Sequence, residues 1–185
     1  MLLALGTGIG ISPPARKLAL CPLIATRLGA HAKADRLQYI RDDGSACENP
    51  MPRQGILPHD LVHYIVESRL QLRNGFLALV AGSADPDFAT QMTHDAGNRY
   101  ARSEAIQAEA IVEALQTQLW NGSFDAEAFA YGVETASNAR GVESAVLPLE
   151  RVESLLYASA MELDRQWLQV PAHGSIELSF LPATP

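Results

Sequence analysis

Hydrophobic residues recur at helical spacing through the middle of this chain and settle into short extended runs towards its ends. Leu37-Gln38-Tyr39-Ile40 reads as a strand. Asp42-Asp43-Gly44-Ser45 follows as a turn, and a second extended segment comes after it. Asp-Gly between extended runs predicts a hairpin. Pro50 and Pro52 confine the second segment to a sheet edge or a loop, because proline cannot donate to a ladder. Pro58 opens a helix running to about Arg73, where Asn74-Gly75 supplies the stop. Phe76 to Ala81 is apolar throughout and predicts a short buried helix, and Ser83 to Asp87 is a loop. Ala108, Ile111, Val112, Leu115 and Leu119 mark one face of a helix capped by Ser103 and ending near Trp120. Ser123 opens the next helix, to about Ala139, with Asp125 and Glu127 near the positive end of its dipole. A last helix spans about Pro148 to Leu168, with Leu149, Val152, Leu156, Leu163 and Trp167 on one side. Ser175 to Phe180 alternates cleanly as a strand.

These elements predict an α+β fold: one helix-rich domain over residues 33–185, with a small antiparallel sheet formed by strands near both ends of the ordered chain. The closing strand is expected to pair with the segment around Leu37–Ile40. Residues 1–32 are expected to be a poorly ordered tail, or sequence upstream of the true start. Met1 to Ile11 is apolar, but no positive charge precedes it and Gly6, Gly8 and Gly10 interrupt it, unlike a secretory signal. The same glycines lack the helix that a nucleotide-binding loop requires, because Pro13 and Pro14 follow.

Charge narrows the function. The net charge of −7 is the wrong sign for a phosphate-binding surface, and with 6% aromatic residues an aromatic platform for sugars or single strands is not expected. No nucleic-acid partner is expected. No apolar run is long enough to span a bilayer, so no membrane partner is expected either. Basic residues concentrate before residue 42 (Arg16, Lys17, Arg27, Lys33, Arg36 and Arg41, against the single acid Asp35), leaving a strongly acidic body. Cys21 and Cys47 form neither a CxxC pair nor a disulfide framework, which favours a reducing, cytoplasmic setting.

The candidate chemistry lies at His59-Asp60-Leu61-Val62-His63-Tyr64-Ile65-Val66-Glu67. On a helix, His59, His63 and Glu67 fall within a stripe of about 80°. Two imidazoles and a carboxylate are a ligand set used by zinc and by non-haem iron. His59, near a helix N-terminus, is held towards its neutral, metal-binding form. The spacing resembles the His-Glu-x-x-His of zinc peptidases, with Asp60 in place of glutamate, and that likeness implies a base or a ligand-orienting role for Asp60. Three ligands on successive turns of one helix fan apart, so a donor from elsewhere is expected, with His94 and Asp95 as candidates. The His59-Asp60 and His94-Asp95 pairs are also similar to those of HD-domain phosphohydrolases, an all-helical family, but the hairpin ahead of His59 departs from that pattern.

Arg53-Gln54-Gly55-Ile56-Leu57-Pro58-His59-Asp60-Leu61-Val62-His63, with Val66-Glu67 and Gly75-Phe76, resembles a core shared by a set of uncharacterised bacterial proteins. That resemblance implies a bacterial source and carries no activity. Two functions are therefore expected. One is a metal-binding protein, extending to a metal-dependent hydrolase with His59, His63 and Glu67 on a zinc or iron ion and Asp60 as catalytic group. The other is a non-catalytic module whose acidic helices bind a basic partner or a second copy, the histidines being only the polar border of an apolar helix face.

Overall fold

The computed structural model describes residues 20–41, 43–81 and 102–181. Four antiparallel strands form one sheet in the order β3-β2-β1-β4. They are β1 (Cys21–Thr26), β2 (Ala34–Ile40), β3 (Ala46–Pro52) and β4 (Ser175–Phe180). The α+β class and the sheet built from strands near both ends match the pattern of the sequence. The pairing does not. β4 lies against β1, with Leu23 opposite Leu178 and Cys21 opposite Phe180, so β1 separates it from β2. Residues 20–32 are consequently not a tail. β1 is a central strand whose Cys21, Leu23 and Ala25 are buried on the core face. Its alternation is masked in the sequence because Pro22 and Ile24, on the opposite face, are also apolar. Pro22 is tolerated in this position because the register with β2 begins only at Leu23. β3, carrying Pro50 and Pro52, is an edge strand, as expected.

Asp35, buried at 3% exposure, fastens the β1–β2 connection. It accepts from the Leu28 amide at 2.9 Å and from the Arg53 guanidinium at 2.6 and 3.2 Å. Burial opposes its charge, but these bonds and the nearby Arg53 and Arg27 hold its carboxyl below the ordinary range.

The helices are α1 (His59–Leu70), α2 (Phe76–Ala81), α3 (Arg102–Asn121) and α4 (Ala126–Ala139). A further helix, α5 (Leu149–Val152), continues through a π turn over Glu153–Tyr157 into α6 (Ala158–Gln169). α1 stops before Arg73, because Gln71 adopts a left-handed conformation (φ 54°). The amides of Gln71 and Leu72 then close back on the Glu67 carbonyl. Asp125, not Ser123, caps α4, its side chain accepting from the Ala128 amide at 2.9 Å. Leu149 remains exposed, whereas Val152, Leu156, Leu163 and Trp167 share the buried face. The apolar stripe of α3 is buried over its whole length, and the core joins sheet and helices in one cluster. Among the described residues no helix is long and apolar enough to cross a membrane.

Candidate metal centre

α1 and α3 pack antiparallel. Gln116, late in α3, reaches His59 at the start of α1, while Glu104, early in α3, receives the loop that follows α1. Glu104 Oε2 accepts from the Arg73 and Asn74 amides at 3.1 and 2.7 Å, which fixes where α1 ends against α3. The stripe of His59, His63 and Glu67 is thereby turned inwards, towards α3 and α2. His63, Glu67 and Glu109 are buried, at 2%, 1% and 3% exposure, and the His59 side chain retains 30%.

Three donors converge between α1 and α3. His63 Nε2 lies 3.1 Å from His59 Nε2 and 3.1 Å from Glu109 Oε2, and His59 Nε2 lies 3.5 Å from Glu109 Oε1. His59, His63 and Glu109 form a group that could hold a metal ion. Metal bonds of about 2.0–2.1 Å in a tetrahedral arrangement place donors about 3.3–3.4 Å apart, close to these spacings. The distal nitrogens are set by what the proximal ones meet. His63 Nδ1 is 3.1 Å from Glu67 Oε1, and His59 Nδ1 is 3.0 Å from Gln116 Oε1. Gln116 is oriented in turn, since its amide nitrogen donates to Gln54 Oε1 at 2.9 Å, leaving its carbonyl oxygen for His59. With each Nδ1–H donated to an oxygen, each Nε2 is free to present a lone pair to the common centre.

Electrostatics at the centre are strong. Burial opposes a charge on His63, but hydrogen bonds to Glu109 and Glu67 and their negative charges outweigh it and raise its pKa to about 10. Burial likewise works against the Glu109 carboxylate, and contacts with His59 and His63 overcome it, holding Glu109 well below the ordinary carboxylate range. The site thus favours a positive charge at its centre, whether a proton on His63 or a cation.

The structure redistributes the roles expected from the sequence. His59 and His63 do meet. Glu67 does not join them as a third donor, because its carboxylate contacts the opposite nitrogen of His63 and the Leu77 and Ala78 amides. Successive turns of one helix put it on the far side of the ring. Asp60 does not face the centre either. It is buried beside β3 and accepts from Asn49 Nδ2 at 3.0 Å, tying α1 to the sheet, with burial pushing its carboxyl pKa up. His94 and Asp95 lie outside the described residues. The third donor comes from α3. Its signal in the sequence was a carboxylate within the apolar run Ala108-Glu109-Ala110-Ile111-Val112, with Gln116 two turns later on the same face.

No family model, curated protein or solved structure matches this chain.

Proposed function

We propose that this chain binds a first-row transition metal, zinc or iron, through His59 Nε2, His63 Nε2 and an oxygen of Glu109. The observation that carries this is the convergence of three donors at 3.1–3.5 Å, with both Nδ1 atoms engaged by oxygens that aim the Nε2 atoms at one point. Two imidazoles and one carboxylate suit either ion. Three protein donors leave a coordination position, and the partly exposed His59 marks the side from which a water or a small ligand would arrive. A bound ion there would act as a Lewis acid, the basis for hydrolysis. Within the site, Glu67 and Gln116 hold the imidazole tautomers, and Glu109 supplies the negative charge that offsets the ion.

A second function is favoured by one observation: His63 has a carboxylate 3.1 Å from each ring nitrogen. A proton on His63 satisfies both, making the cluster a buried ion triad with a purely structural role.

Elemental analysis and zinc titration of the purified full-length protein separate the two. Metal binding predicts close to one zinc or iron per chain, lost in His59→Ala, His63→Ala and Glu109→Ala. Asp60→Asn should keep its metal, because Asp60 faces Asn49. Protein that emerges metal-free from cells grown with ample zinc and iron, and that takes up no zinc on titration, leaves the structural triad as its function.

A further inference from the structure

We infer that Glu67 is a positioning residue that makes the geometry of the His63 ligand depend on the docking of α2. The inference rests on the metal-binding function proposed above. Glu67 is 1% exposed, and its two oxygens receive three N–H groups from two sources. Oε1 takes His63 Nδ1 at 3.1 Å and the Leu77 amide at 3.1 Å. Oε2 takes the Leu77 amide at 3.0 Å and the Ala78 amide at 3.2 Å. The amides belong to the first turn of α2, where intrahelical partners are lacking. One carboxylate therefore serves both a metal-ligating imidazole and the start of the next helix.

The loop between α1 and α2 is shaped around that carboxylate. A Cβ at Gly75 would overlap Glu67 Cδ and Oε2 and lie 2.8 Å from Cγ, so only glycine lets the backbone pass. Phe76, the first residue of α2, packs its ring against the His63 imidazole with centroids 5.4 Å apart. The ring of His63 is thus held at one edge by Glu67 and packed against the tilted ring of Phe76. If α2 shifts, both restraints move and Nε2 no longer points at the centre. By reciprocity, metal at Nε2 must favour the docked α2 to the same extent that docked α2 favours metal. Orienting partners of this kind change metal affinity by about 10–100-fold.

The alternative is that Glu67 only caps α2, in which case its loss lowers stability and leaves the affinity of the folded protein unchanged. Zinc affinity, the visible spectrum of the cobalt-loaded protein and amide exchange at Leu77 and Ala78 distinguish these. Glu67→Gln keeps one oxygen for His63 but cannot accept both α2 amides. Gly75→Ala displaces the carboxylate without touching a ligand. Both should weaken zinc binding about 10–100-fold and shift the cobalt spectrum. Phe129→Leu, on the buried face of α4, should lower the melting temperature with zinc affinity unchanged. In the parent protein zinc should slow exchange at Leu77 and Ala78. Should either variant fail to fold, the exchange measurement decides. Parental zinc affinity in folded Glu67→Gln overturns the inference and leaves metal binding standing, as does exchange at Leu77 and Ala78 that ignores zinc. A parent protein that takes no zinc overturns both.

Discussion

Replacing Glu109 by leucine removes the one donor that α3 contributes to the centre, and the structure sets the size of the effect. Glu109 is 3% exposed, and its two oxygens face two imidazoles, at 3.1 Å from His63 and 3.5 Å from His59. Without it, His63 keeps Glu67 at one nitrogen and meets only the nitrogen of His59 at the other. Removing one partner of a buried pair costs about 3–5 kcal/mol, a large share of the roughly 5–15 kcal/mol that holds a domain folded. In a chain of this size that corresponds to about 6–20 °C in melting temperature. Replacing both partners with apolar residues is far less costly, so Glu109→Leu/His63→Leu should lose less than the sum of its single changes, by about 2 kcal/mol or more. Urea unfolding with a chelator present measures these terms on the metal-free protein. Repeating it with zinc adds the function: at a hundredfold excess over Kd the parent gains about 2.7 kcal/mol, and the Glu109 variant gains almost nothing. A Glu109→Leu loss below about 1 kcal/mol, or additive single changes, would refute a coupled buried cluster.

Two further outcomes are expected. Asp35 has a folded-state pKa below its unfolded value, so its contribution is complete above the unfolded pKa of about 4 and is lost as pH falls through the folded one. The stability gap between the parent and Asp35→Asn should therefore be constant near pH 6 and narrow progressively below pH 4 in acid titrations followed by circular dichroism; a gap that widens in acid would contradict the ion pair with Arg53. Deleting residues 1–26 should unfold the domain, since it removes the fully buried Leu23 and Ala25 and leaves β2 and β4 without a shared neighbour; a cooperative unfolding transition retained by the truncated chain would show that β1 is dispensable.

Elements with a strong period were legible in the sequence, and those whose period is hidden by context were not. The stripe from Ala108 to Leu119 and the alternation from Ser175 to Phe180 are one-sided, and both appear where the pattern put them. β1 escaped because both of its faces are apolar and basic residues surround it. The pairing partner of β4 was equally hidden, because strand order depends on which edge is free in three dimensions. At the centre, the i, i+4 spacing of His59 and His63 was enough to bring two imidazoles together. It could not choose between Glu67 and Glu109, since that choice turns on which side of the His63 ring faces α3. Asp60 looked catalytic by analogy of spacing, yet its helical position, one residue past His59, directs it to Asn49 on β3.

The place of β1 between β2 and β4 also governs how the chain reaches its native state. β1 and β2 are neighbours in sequence and can form a hairpin early, whereas β4 follows all the described helices and must return across them to pair with β1. Until it arrives, the Cys21–Thr26 strand presents an open edge with an apolar face, a template for pairing with other chains. Contacts of such long sequence separation slow folding, because loop closure precedes the gain from pairing. During synthesis that edge stays uncovered until β4 has been made, so the nascent chain carries an aggregation-prone edge while all the described helices are being added.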